Sequence, residues 1–428
     1  MTNNPSRLQA LIERRERLLG PAYRLFYDKP LHIVKGEGAW LFDADGRRYL
    51  DMYNNVPHVG HCHPRVVEAL HRQQQTLNTH TRYLHENVLD YAERLTGLLP
   101  DGLDTAMFSC TGSEANELAL RLARAYTGNY GVIVTSFAYH GNTWEIAKLS
   151  TEEDFPGGRG EGVAAIHVPD LYRGYREADA AEHYAAQVAE AAATLQDRGV
   201  GVAAMIVDTI FSSEGVVNLP STYLARAQQI VNDAGGLFIA DEVQPGFGRT
   251  GTHFWGFARH DIVPDMVTMG KPMGNGHPLS ATVARREIVQ SFADQAHYFN
   301  TFGGNPVSCA AGLAVLDVIE DEKLQENALR VGGYIREGLE KLAERFELIG
   351  DIRGSGFFIG VELVSDRKTK APASDRANWI VENLRDRGVL ISSTGPADNV
   401  LKLRPPMVLT MAEADFMLNE LAESLAHA

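Results

Sequence analysis

LFIADEVQPGFGRTG, residues 237–251, and VTMGKPMGNGHP, residues 267–278, decide how this chain folds. Each is a short apolar run that gives way to a Gly- and Pro-rich bend, the pattern of a buried strand with a polar residue at its end. Outward from them the pattern recurs in TAMFSC (105–110), GVIVTS (131–136), GVAAIHV (162–168) and VAAMIVD (202–208). Helical stretches lie between, among them SEANELALRLARAY (113–126) and an alanine-rich run near 178–197. Continuous apolar strands alternating with helices predict βα units and an α/β fold with a mostly parallel sheet covered on both faces. Ligands of such sheets gather at the carboxyl ends of the strands, where Ser109, Asp208, Asp241 and Lys271 fall.

This pattern occupies residues 64–322. From 31 to 53, short alternating runs around Asp45-Gly46 predict a small antiparallel hairpin. From 323 to 428, a long helical segment, two strands in ELIGDIRGSGFFIGVELV (347–364) and a terminal αβα stretch predict a smaller α+β domain, which residues 1–63 are expected to join. The first twenty residues mix both charge signs and predict an amphipathic surface helix rather than a leader. SDRKTKAPASDR (365–376) is the expected mobile loop.

A chain of 428 residues with 44% hydrophobic content can bury a large core. Its formal net charge of −15 argues against a nucleic-acid or anionic-membrane partner, so an anionic ligand needs local cations. Cys62, Cys110 and Cys309 form no disulfide framework, which fits a reducing cytoplasm. No run is long and apolar enough to predict a membrane span.

The run FSCTGSEANELALRLAR (108–124) reads as strand, turn and helix, with the first helical turn near Ser113. Free N–H groups and the positive dipole end make a phosphate seat there, with Gly112 allowing close approach; an ordinary serine cap is the plain alternative. Asp241 at a strand end can pair with a ring N–H, and Lys271 can form a Schiff base and then act as a base. Together these are what pyridoxal phosphate (PLP) asks of a protein. His58, His61, Cys62 and His63 crowd VPHVGHCHP (56–64), but adjacent residues cannot all face one ion, so no metal is expected. A loop lining the cofactor pocket's mouth is the preferred reading.

From YLDMYNNVPHVGHCHP through TGSEAN, YHGNT, DEVQPGFGRTG and MGKPMGNGHP to TFGGNP, the chain resembles the class III aminotransferases, PLP enzymes of fold type I. The resemblance implies that Lys271 is the Schiff-base lysine and Asp241 the pyridinium partner. Gln244 would face the ring hydroxyl, Tyr139 and Val243 the two ring faces, and Gly112 and Ser113 the phosphate. Asp208 stands where a glutamate is common, and Thr301 would reach the phosphate of a neighbouring subunit. That implies an obligate homodimer with shared sites, and leaves open a further pairing into a tetramer. His140 would support the stacking tyrosine.

Many members carry an arginine three residues before the C-terminal Pro-Pro; in NVLKLRPPM (399–407) that position is Lys402, with Arg404 two residues on. Ser213 stands where ornithine-type enzymes place a glutamate. These stretches, with LNTHTRYLHEN (77–87), are more similar to a phospho-lyase subgroup. That implies elimination of phosphate from O-phosphoethanolamine, giving acetaldehyde, ammonia and inorganic phosphate. Lys402 suits such a substrate because an ammonium binds phosphate as a point charge. Arg82 is a second candidate, with an ion pair to Glu86 as its plain reading, and Asn55 and His58 are further pocket candidates. The alternatives are an ω-aminotransferase using pyruvate or 2-oxoglutarate, and a PLP-binding regulator without turnover.

Overall fold

The computed structural model describes residues 5–428. At its centre a seven-stranded sheet runs in the order Thr105–Ser109, Ser280–Ala284, Met266–Met269, Leu237–Asp241, Val202–Asp208, Gly131–Thr135, Val163–Ile166. All run the same way except Ser280–Ala284, which is antiparallel to both neighbours. Alternate residues feed different layers, as a pleated strand requires. Met205, Val207, Phe238 and Ala240 share a core with Val188 and Leu195 of helix Ala180–Asp197 and Val231 of helix Tyr223–Asp233. Ala204, Ile206, Leu237 and Ile239 share another with Leu118, Ala119 and Leu122 of helix Gly112–Thr127. Two-sided burial explains why these strands read as unbroken apolar runs.

Ser280–Ala284 escapes the sequence reading because SATVA alternates small and hydroxyl residues. The hydroxyls serve the fold: Ser280 Oγ donates to Thr111 O at 2.8 Å and Thr282 Oγ1 to Ala115 O at 2.7 Å, tying the strand to the start of helix Gly112–Thr127.

The expected N-terminal hairpin is a three-stranded antiparallel meander, Ile33–Glu37, Trp40–Asp43 and Arg48–Asp51, with Asp45-Gly46 turning between the last two. Its third strand pairs in parallel with Val389–Leu390, far along the chain. Strands Ile349–Ser355, Phe358–Asp366, Val400–Leu403 and Ser392–Thr394 form a separate antiparallel sheet. The stretch 365–376 is no open loop. Ala371–Pro372 pairs with strand Phe358–Asp366, helix Ser374–Arg387 begins within it, and Arg173 Nη1 donates to Lys370 O at 2.5 Å. The amphipathic helix appears as Pro5–Leu19, and residues 1–4 lie outside the described residues. No helix of the described residues is long and apolar enough to cross a membrane.

Candidate active site

A cavity of about 310 Å³ lies at the carboxyl ends of the central strands, lined among others by Gly112, Ser113, Tyr139, Asp208, Asp241, Val243, Gln244 and Lys271. Parallel register sets Asp208 beside Asp241 and Asp241 beside Thr268. Burial first, and the Asp241 charge second, raise the Asp208 carboxyl above the usual range. Asp208 accepts from Ile210 N at 3.0 Å and from the Ser212 hydroxyl.

Asp241 is buried and surrounded by donors. Its Oδ2 takes hydrogen bonds from His140 Nδ1 at 2.8 Å and Asn116 Nδ2 at 3.0 Å, and its Oδ1 from Val243 N at 3.1 Å. Asn116 is fixed in turn by Thr268 Oγ1, which donates to its Oδ1 at 2.6 Å. Such a shell fixes the carboxylate in position. Lys271 begins the turn after strand Met266–Met269. Burial and then the Arg404 charge hold its ammonium below the ordinary lysine range, against the pull of Asp241 and Asp208.

The helix facing this pair begins at Gly112, with Thr111 as its cap rather than Ser113. Thr111 Oγ1 accepts from Glu114 N, and the Glu114 carboxylate accepts from Thr111 N, a reciprocal capping box. Ser113 is thereby left in the first turn, where its hydroxyl exchanges hydrogen bonds with Asn142 Oδ1 and Asn142 N, both at 3.1 Å. A Cβ on Gly112 would press against Val243 Cγ2 at 3.0 Å. Gly141 sits at φ +134, where a Cβ would fall 2.4 Å from Ser113 Oγ. Buried amine, donor-wrapped acid and a glycine-bounded helix N-terminus fit a planar aldehyde cofactor carrying a phosphate.

A second cavity of about 480 Å³ shares Tyr139, Gln244 and Lys271 with the first, and is walled beyond them by Tyr53, Glu152, Ser213, Thr394, Lys402 and Arg404. Lys402 is buried; its Nζ lies 3.4 Å from Thr394 Oγ1, and no ion pair reaches it among the described residues. Burial, then Arg404, lower its pKa to about 7. Arg404 lies 4.5 Å over the Tyr53 ring and donates to Gln244 Oε1, while its Nε has no acceptor among the described residues. Gln244 is spanned between Arg404 and Ser212, with Asn55 Nδ2 at 3.5 Å. Nearby Glu214 is buried, bonded to Thr135 Oγ1 at 2.7 Å, and pushed up to about 8 by burial and by Asp208.

His58 and Arg82 lie away from these cavities, and so does Thr301, which was expected at a neighbouring subunit's site. His58 is wholly buried: Arg249 Nη2 donates to its Nδ1 at 3.1 Å, so its Nε2 carries the hydrogen and donates to Phe247 O at 2.8 Å. It is a packing residue, kept neutral by burial and Arg249, and not a pocket residue. Arg249 also donates to Pro405 O at 2.7 Å and Phe357 O at 3.3 Å, joining three distant segments. Arg82 is exposed and stacked 3.8 Å over the Phe299 ring, bonded neither to Glu86 nor to this chain's cavities. Thr301 is exposed outside both cavity walls. Of the His-rich loop, Val56 lines the first cavity, as expected, but its histidines and Cys62 do not. His61 pairs with Asp51 at 2.8 Å and His63 with Glu322 at 3.0 Å, and no metal-binding cluster occurs among the described residues.

The contacts of Asp241 with His140 and Asn116 are the part that sequence reasoning missed. Asn116 lies within TGSEAN and His140 within YHGNT, so both stood in stretches already singled out; their convergence needed the sheet.

Residues 26–425 match the model of the aminotransferase class-III family. An alanine–glyoxylate aminotransferase 2-like protein of Drosophila melanogaster is 45% identical over 97% of this chain and 86% of its own length. The ethanolamine-phosphate phospho-lyase homolog 1 of Caenorhabditis elegans is 40% identical over 93% of this chain and 89% of its own. Among solved structures, a phospholyase from Arthrobacter in complex with phosphoethanolamine superposes with TM-score 0.95 at 46% identity, covering 98% of this chain and 100% of that one.

Proposed function

The chain belongs to the class-III aminotransferase family, and from that premise we propose that it is a phospho-lyase that eliminates phosphate from O-phosphoethanolamine to give acetaldehyde, ammonia and inorganic phosphate. PLP is its cofactor. When bound, PLP supplies an electron sink for the pair left behind when a proton leaves the carbon bearing nitrogen. The chain's residues then divide the labour. Gly112 and Ser113 seat the cofactor phosphate, Tyr139 and Val243 flank the ring, Gln244 and Asp208 edge it, and Asp241 supplies the fixed negative charge. Lys271, with its lowered affinity for protons, moves the proton at the reacting carbon.

The observation that carries the reading is the pair Lys402 and Arg404, buried in the cavity that also receives Lys271, with no carboxylate ion-paired to either among the described residues. Two buried cations without counter-ions are costly unless the ligand brings the charge, and a phosphate dianion matches two cations where a single carboxylate does not. The phosphoethanolamine complex of the Arthrobacter relative supports the same substrate class.

The second reading is an ω-aminotransferase, favoured by the name of the Drosophila relative. Incubation with O-phosphoethanolamine and no keto acid distinguishes them: sustained phosphate release is expected. No phosphate, together with alanine formation from an amine and pyruvate, would select transamination.

The site is proposed to be completed by a second copy. Thr301 and Arg82 lie outside this chain's own cavities, amid the exposed Tyr83, Leu84, Phe299 and Phe302, an apolar surface suited to a homodimer in which Thr301 serves the neighbouring subunit's phosphate seat.

A further inference from the structure

We propose that Lys402 is the proton donor to the departing phosphate, while Arg404 is the fixed cation that holds it. This deepens the phospho-lyase reading and rests on it. A phosphate monoester is a dianion above about pH 6, so breaking its C–O bond unaided would expel a trianion. Elimination therefore calls for an acid at the leaving oxygen. In the balanced step, the C–H bond at the carbon bearing nitrogen gives its proton to Lys271 and its electron pair to a new C=C bond. The neighbouring C–O bond breaks, its pair passes to oxygen, and that oxygen takes a proton from Lys402 Nζ. Hydrogen phosphate dianion leaves, Lys402 is left as the neutral amine, and water reprotonates it.

The geometry selects Lys402 for this. It stands on strand Val400–Leu403 between Gly360 and Ser392 on the neighbouring strands, and it walls the same cavity as Lys271. Among the described residues its ammonium has only the long contact to Thr394 Oγ1, which leaves its protons free to a ligand. Arg404 cannot serve, because a guanidinium does not release a proton. Tyr139 cannot serve well, because burial and the charges of Glu152 and Glu153 tighten its hold on the phenolic proton. The charged groups around Lys402 are Arg404 beside it, Lys271 across the cavity, Asp208 at the end of strand Val202–Asp208, Glu214 in the segment after it, and Glu152, Glu153 and Asp398 at the wall. Burial and the two cations outweigh the acids, bringing its pKa to about 7, where a general acid works best.

The test compares two leaving groups of like shape. Sulfate leaves from 2-aminoethyl hydrogen sulfate without a proton, whereas phosphate needs one. First-turnover release at saturating substrate is measured for wild type and for Lys402→Arg, which keeps the charge but cannot donate. The expected result is phosphate release slowed about 100-fold or more with sulfate release within a few-fold of wild type. Lys402→Arg releasing phosphate at the wild-type rate would overturn the proposal and reduce Lys402 to a binding cation. Equal slowing of both leaving groups would overturn it too, as a structural effect.

A measurement on the wild-type protein stands apart from any folding defect of the variant: first-turnover phosphate release is expected to decline as pH rises above neutral, while sulfate release does not. Parallel profiles would overturn the proposal. If the wild-type protein released no phosphate at all, the phospho-lyase reading itself would fall, which is a different outcome from any of these.

Discussion

Lys271 faces both cavities, and the two charges that matter most to it, Arg404 and Asp241, push in opposite directions. Lys271→Ala is expected to abolish phosphate release and the visible absorbance of covalently held PLP, read by a spectrum after reconstitution; an unchanged spectrum would contradict the role. Glu214 allows a stability prediction with a definite sign. Its folded pKa is about 8 against 4.5 for the free side chain, so the folded protein keeps a proton that the unfolded chain releases. That contribution is complete below pH 4.5 and is lost as pH climbs from 4.5 to about 8. Glu214→Gln should therefore flatten the fall in denaturant midpoint between pH 5 and pH 8.5. Part of the slope will persist, since buried Glu242 is shifted in the same direction, to about 7. Identical slopes in the two proteins would place Glu214 in a wetter setting than its burial implies.

At the scale of the element, the helix Gly112–Thr127 owes its start to Thr111 and Glu114, with Ser280 and Thr282 bonded to carbonyls of its first turn from the strand below. Thr111→Ala removes the cap and should cost about 1 kcal/mol of stability, measured by denaturant unfolding, and weaken retention of the cofactor phosphate. No change in either would mean that the strand alone sets the helix start. The same elements show why part of the site was legible in sequence. Asp241 and Lys271 end apolar runs, and a strand end in an α/β sheet delivers its side chain to the ligand edge whatever the packing details. His58 and Arg82 carried no such constraint. Both sit in irregular segments, and only tertiary packing turned one toward Arg249 and the other onto Phe299. Lys402 and Arg404 were legible as a pair because alternate residues of a strand share a face. The strand Ser280–Ala284 was not, because its polar positions are spent on a neighbouring helix rather than on solvent.

For the whole molecule, the exposed Leu84, 94% accessible, and Phe302, 69% accessible, flank Arg82 and Thr301, on the surface proposed for the homodimer. Leu84→Asp is expected to shift the protein from dimer to monomer in sedimentation and to lower PLP retention with it; a monomeric wild type that binds PLP fully would contradict the shared site. Arg249 sets a different constraint on the molecule. One guanidinium, entirely out of water, clasps His58 from the N-terminal region, Phe357 from the hairpin of the C-terminal sheet and Pro405 beside Arg404, while its own backbone follows the strand bearing Asp241. Pulling any one of these away strands a charge in a medium that cannot solvate it. Heating should thus melt the chain as a single calorimetric event, with the lobes parting only when everything else does, and Arg249→Met should split that one peak into two.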